Sequence, residues 1–234
     1  MRWLMFLSLI VSSLPTLADV GRIAKTSNDS DSFLLRKGFK KPLTSDLALK
    51  AGDVISTTES MVLLHLLSGS QILLGKKTEL RITNCEQKSE NEKTMIGCQV
   101  ELLKGVTRTL VPPEKNREIR QVVSSGQVSF IGKAGEFEVS TAGTGEVDVD
   151  VISGEVEATS PLIMTFVPEM IKEKEGLRFS IGPRTYSRRK FSLKMQDPLS
   201  FSLREEIIPQ GAFKKPSKRN QKKAKAKRKA RKQG

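Results

Sequence analysis

Residues 61–75 read MVLLHLLSGSQILLG. Val62, Leu64 and Leu66 recur at every second position, and Ile72 and Leu74 resume the alternation after Ser68-Gly69-Ser70. A period of two belongs to a strand, because successive strand side chains point to opposite faces, whereas a helix would space its apolar face by three or four. A short Gly-containing break between two such runs is hairpin punctuation. The stretch therefore predicts a β-hairpin whose Val62, Leu64, Leu66, Ile72 and Leu74 side chains line a core.

The same pattern returns further along. Val147, Val149 and Val151 alternate with Asp148 and Asp150, then Ser153-Gly154 leads to Val156, which reads as a second hairpin with one wet side. Phe130, Phe137 and Val139 extend the alternation, and Gly126, Gly132, Gly135, Gly143 and Gly145 argue against helices there. The expected fold is all-β, a β-roll or sandwich of short hairpins over residues 19–160. Residues 161–213 change character, with Pro198 and Pro209 breaking extended pieces; an added strand, a partner-docking arm and partial disorder are all open for this extension.

The chain has 234 residues, enough for one domain plus appendages, with 40 Lys and Arg against 26 Asp and Glu and a formal net charge of +14. The excess is local. Residues 19–175 hold 20 basic and 23 acidic side chains, so that body is nearly neutral. Arg178, Arg184, Arg188, Arg189, Lys190 and Lys194 have no acid between them in sequence, and residues 214–234 hold twelve Lys and Arg and no acid. One His and two Cys leave no zinc ligand set, Cys-His dyad or Ser-His-Asp triad, which excludes most familiar hydrolases and predicts no catalytic residues, metal or cofactor.

Met1 and Arg2 precede an apolar run from Trp3 to Val11, and Thr16 and Ala18 are small residues after Pro15. This is the layout of a secretory signal peptide cleaved after Ala18, and the run is well short of the roughly 20 residues that span a bilayer. Export to the periplasm or beyond makes a disulfide between Cys85 and Cys98 the expected state, across the polar excursion that separates two apolar segments. The mature chain is expected to hold no transmembrane segment.

The run from Val20 to Ile82, followed by VELLKGVTRTLV at 100–111 and GEFEVSTAGTGEVDVDVISGEVEA at 135–158, resembles the FecR domain family of bacterial envelope proteins. The matching residues are Leu49, Gly52, Asp53, Ile55, Thr57, Ser60, Val62, Leu64, Leu66, Gly69, Ser70, Leu74 and Gly75. Gly52, Gly69 and Gly154 permit positive φ, and Asp53, Ser60 and Ser70 can bond nearby backbone, so Gly52, Asp53, Gly69, Ser70 and Gly154 read as structural turn residues. Where the family commonly shows Arg-Gly-Thr, this chain has Lys133-Ala134-Gly135-Glu136, and no ligand role is carried over to that stretch. The resemblance is to free-standing exported members rather than to transmembrane regulators of a sigma factor. It implies a non-enzymatic binding or interaction module of the cell envelope. The alternatives are a periplasmic sensor component relaying an extracellular signal to a membrane partner, or a polyanion binder acting through the tail.

The remaining chemistry-bearing residues have plain structural readings. His65 lacks a second imidazole or carboxylate nearby and reads as a structural or surface histidine. Glu146, Asp148 and Asp150 could attract a cation along one strand face, and more simply keep an exposed β face soluble. In the tail, Lys214, Lys215, Lys218, Arg219, Lys222, Lys223, Lys225, Lys227, Arg228, Lys229, Arg231 and Lys232 are the candidate polyanion-binding residues. With no aromatic and no branched apolar residue among them, this segment is expected to be disordered when free. Its partners are an envelope protein, lipid head groups, anionic envelope polymers, or nucleic acid bound without sequence preference through counterion release. A purely solubilising tail is the bland alternative.

Overall fold

The alternation at 62–74 becomes the hairpin its residues require. In a computed structural model, β6 (Val62–Leu66) pairs antiparallel with β7 (Gln71–Leu74), and Val62, Leu64, Leu66, Ile72 and Leu74 are all buried. The structure describes residues 19–27, 32–90, 93–142, 145–160, 168–183 and 185–195, all within a unit that spans Met1–Gln196. None of them is helical. Residues 1–18, read from sequence as a leader, and the basic residues 214–234 lie outside the described residues, as do Pro198, Pro209 and Arg184.

The fold is all-β, and the described residues form fifteen strands hydrogen-bonded into one mixed sheet. Ahead of β6 come β1 (Asp19–Thr26), β2 (Ser32–Arg36), β3 (Phe39–Pro42), β4 (Ala48–Lys50) and β5 (Val54–Thr57). After β7 follow β8 (Glu79–Glu90), β9 (Lys93–Val111), β10 (Arg117–Ser125), β11 (Val128–Thr141) and β12 (Glu146–Thr159). The extension adds β13 (Glu169–Lys172), β14 (Glu175–Ser180) and β15 (Thr185–Lys190) to the same sheet. Of the three readings left open for it, the described part is added strand.

Short hairpins account for only part of the architecture. Strands β9, β11 and β12 are long, and each changes partner at a glycine with positive φ. Strand β9 pairs with β8 up to Lys104 and with β11 from Gly105 (φ 93°). Strand β11 leaves β10 at Gly132 and takes up β9 at Gly135 (φ 118°). Strand β12 pairs with β14 up to Asp150 and with β13 from Glu155, on either side of Gly154 (φ 79°). Gly154 thus closes no hairpin. It lies inside a strand opposite Gly135, where a Cβ would meet the Ala134 carbonyl oxygen at 2.4 Å. These bends curl the sheet so that one face encloses Phe130, Phe137, Val139, Val149, Val151 and Phe179.

The bend in β9 also permits a pairing that hairpin reasoning does not anticipate. Residues 117–124 of β10 run parallel to 94–101 of β9. Parallel neighbours need a crossover of about a dozen residues. Here the second half of β9 and the Pro112-Pro113 link provide it.

The cysteine excursion is a further correction. Residues 85–90 of β8 continue the antiparallel ladder against residues 93–98 of β9, where an irregular loop was expected. Cys85 and Cys98 are direct cross-strand partners with Cα atoms 4.1 Å apart, and they are joined as a disulfide.

Candidate functional site: a buried charge cluster beneath residues 191–195

The outer face of the sheet carries one row of side chains that register assembles from seven strands. Leu63 of β6 faces Leu73 of β7, Leu73 faces Arg108 of β9, and Arg108 faces Glu138 of β11. Glu138 faces Asp150 of β12, Asp150 faces Gly176 of β14, and Gly176 faces Arg189 of β15. Every member of an alternating strand row must point the same way, so this is a single stripe that turns from apolar to charged. Gly176 leaves the room this needs: a Cβ there would lie 2.7 Å from Asp150 Oδ1 and 3.3 Å from Arg189 Cγ.

Residues 191–195 run over this stripe and are fastened to it mainly through backbone. Lys194 N–H donates to Glu138 Oε1 at 2.6 Å, Met195 N–H donates to Glu138 Oε2 at 3.2 Å, and Ser192 N–H donates to Asp150 Oδ1 at 3.0 Å. Arg108 Nη2 donates to Glu138 Oε2 at 3.2 Å and to the Met195 carbonyl at 2.6 Å. Arg189 pairs with Asp150, while Asp148 accepts from Arg178 Nε and Lys194 Nζ, both at 2.7 Å. Arg108, Glu138, Asp148 and Asp150 are each less than 5% exposed.

The face carrying Asp148 and Asp150 is therefore not wet. The basic stretch from Arg178 to Lys194, which has no acid beside it in sequence, meets its acids in space. Only Glu146 behaves as read: it is exposed, 3.6 Å from Arg178. Among the described residues no group of three or more His, Cys, Asp and Glu could hold a metal ion.

The two buried aspartates are driven apart in acidity. Burial pushes Asp148 up, but hydrogen bonds from Arg178 and Lys194 and the charge of Arg189 outweigh it and hold the carboxyl below the ordinary aspartate value. For Asp150 burial wins over the Ser192 amide and Arg189, and Asp148 adds to it, so its carboxyl sits above that value. Split carboxylates can mark acid–base catalysis. Here their oxygens are taken up by the chain's own amides, guanidinium groups and Lys194, which makes the cluster a clasp for residues 191–195.

The turn residues named from sequence divide into two kinds. Gly52 and Gly69 have φ of 88° and 85°, and Asp53, 1% exposed, accepts from Lys50 N–H at 2.8 Å, as its turn role requires. Asp53 also takes both Arg36 Nε and Nη2, at 2.8 and 2.7 Å, a bidentate pair that raises the Arg36 pKa and that spacing did not suggest. Ser60 bonds the Ser32 hydroxyl rather than local backbone. In the β6–β7 turn it is Ser68 Oγ that accepts from Ser70 N–H. His65 is half-buried, between Arg22 of β1 and Gln71 of β7 in register. The twelve tail cations lie outside the described residues.

Arg108 and Glu138 were not singled out by sequence, because Thr107-Arg108-Thr109 and Phe137-Glu138-Val139 alternate like any strand with one solvated side. Their signal is the unusually dense basic stretch from 178 to 194, which needs acids somewhere. Beside the disulfide, a shallow groove is lined by Asn84, Lys88, Met95, Cys98, Gln99 and Arg120, among others.

Neither a protein-family model nor a curated protein matches the chain. Two crystal structures of a proposed anti-sigma factor from Parabacteroides distasonis ATCC 8503 are similar to it in backbone. The one at 1.65 Å gives a TM-score of 0.45 and 14% identity, over 59% of this chain and 60% of that one. The one at 2.50 Å gives 0.47 and 15%, over 65% and 71%. The match thus spans about three fifths of the first of these structures, and at such scores it assigns neither family nor function to this chain.

Proposed function

We propose that this is a non-enzymatic exported protein of the bacterial cell envelope, a FecR-like β scaffold that serves as a binding module and is held to anionic surfaces by residues 214–234. The observation that carries the reading is the Cys85–Cys98 disulfide between facing positions of β8 and β9. Such bonds persist in oxidising compartments and are rare in the cytosol. It agrees with the leader-like residues 1–18. The FecR resemblance is supported by what its residues do: Asp53 braces its own turn, and Thr57 Oγ1 accepts from Thr78 N–H at 2.9 Å and donates to the Gly75 carbonyl at 2.6 Å. A non-catalytic role is supported by the charge cluster, whose carboxylates are satisfied within the chain.

Fractionation of expressing cells tests it. The full chain is expected in envelope fractions at low salt and in the soluble fraction at high salt, and a chain ending at Phe213 in the soluble fraction at both. Unchanged fractionation without residues 214–234 contradicts the tether. Co-purification with a membrane protein that persists without those residues replaces it with the sensor-component reading.

A further inference from the structure

The β2–β3 hairpin combines three features that a merely soluble surface has no need of. Its tip is a two-residue turn, Lys37 (φ 51°) and Gly38 (φ 83°), between Arg36 and Phe39, which face each other in register. Positive φ at both central residues is the type I′ geometry that closes a tight hairpin, so the next residue is held in a fixed place. That residue, Phe39, is 74% exposed, far more than Leu35, Leu67, Met170 or Tyr186, the other exposed large apolar side chains among the described residues.

The exposed side chains that flank Phe39 in sequence are basic. Lys37, Lys40 and Lys41 are exposed, and among the described residues none of them forms an ion pair. Of the acids on this side, Asp53 is occupied by Arg36 and Asp46 by Arg22 at 3.1 Å, while Asp19 of β1 is exposed and acts on Arg36 through its charge. Lys40 lies over the Phe33 ring, 3.8 Å from its centroid. Arg36 also donates to the Ala48 carbonyl at 2.7 Å, which ties the turn end of the hairpin to β4 and fixes its place. Strand β3 pairs only with β2, so the hairpin stands at a sheet edge.

An aromatic ring at a fixed tip, with exposed lysines before and after it in sequence and a nearly neutral body behind it, matches one surface in chemistry: an anionic lipid leaflet, where the ring enters the headgroup boundary and the ammonium groups meet phosphate. We propose that the β2–β3 tip is a second membrane contact, within the folded body, in which Phe39 inserts and Lys37, Lys40 and Lys41 bind lipid phosphates. It rests on the reading that the protein works at an anionic surface, and it names that surface as a bilayer. The tail would supply reach, and the hairpin orientation.

The test uses the mature chain from Asp19 to Gly234 with Phe39→Trp, whose one tryptophan is then at position 39; the native site is exposed, so the ring exchange leaves the core untouched. With vesicles of phosphatidylcholine and phosphatidylglycerol in equal parts, the emission shifts to the blue and is quenched by brominated acyl chains. With pure phosphatidylcholine it does neither. At about fivefold per lysine at an anionic leaflet, K37Q/K40Q/K41Q lowers partitioning about a hundredfold, and Phe39→Ser roughly tenfold. Co-sedimentation with unchanged emission overturns the hairpin contact and leaves the tail tether standing. No co-sedimentation overturns both. An equal blue shift with duplex DNA, or with pure phosphatidylcholine, overturns the lipid assignment.

Discussion

Asp148 and Asp150 lie two positions apart on one strand face, yet their surroundings shift them in opposite directions. The free energy follows with opposite sign. Asp148, held low by Arg178, Lys194 and Arg189, contributes stability that is present above the ordinary aspartate value of about 3.9 and lost as pH falls through its own lower value. Asp150, raised by burial, contributes stability that is present below that ordinary value and lost as pH rises through its own higher one. Carbon-detected NMR titration is expected to show Asp148 titrating below, and Asp150 above, an unstructured aspartate. Coincident titration of the two at the ordinary value would mean that solvent reaches the cluster. Asp148→Ala removes the acid shared by Arg178 and Lys194 while Arg189 keeps Asp150, and it is expected to cost about 1–3 kcal/mol by urea unfolding; Asp150→Asn keeps an acceptor for Ser192 N–H and costs less. The alternation from 147 to 151 gave the strand and its inward valines. It could not give the burial of the aspartates, because a strand's second face looks solvated until a distant segment covers it, and residues 178–194 do so from 30 to 46 positions away.

At the scale of elements, glycine density forecast sheet rather than helix, and the strands hold. What sequence leaves open is whether a glycine with positive φ ends a strand or bends it, because both uses need the same residue. Register decides: Gly69 sits between β6 and β7, Gly154 inside β12. The two kinds respond differently to substitution. Gly154→Ala meets both the left-handed backbone cost of about 1–3 kcal/mol and a Cβ 2.4 Å from the Ala134 carbonyl oxygen, so it destabilises beyond that range. Gly52→Ala, with φ of 88° and nothing within 4 Å of the added carbon, bears the conformational cost alone. Chemical denaturation of the pair checks this, and equal losses would contradict the bend. The disulfide acts on the same scale. Its partners are 13 apart in sequence, so replacing both cysteines with serine is expected to cost about 3 kcal/mol, mainly by freeing the unfolded chain. Unfolding of the double variant by urea measures that loss.

Across the whole molecule, charge is sorted by position. The acids of β11 and β12 neutralise the basic residues of β14, β15 and the segment after it, Arg36 and Arg22 occupy Asp53 and Asp46, and Lys37, Lys40 and Lys41 are left facing outward. A net charge of +14 therefore overstates how basic the folded surface is, and segment-by-segment counting already showed that the tail holds most of it. The pairing of the 178–194 stretch was not legible, since charge balance within a window says nothing of partners brought by topology. The account's central claim is that this scaffold folds and works outside the cytoplasm. Intact-mass measurement of native, unreduced protein from the producing cell tests it most directly. The account predicts a chain that begins at Asp19 and is lighter by two hydrogens at Cys85 and Cys98. A chain that retains Met1 to Ala18 and carries two free thiols would contradict it.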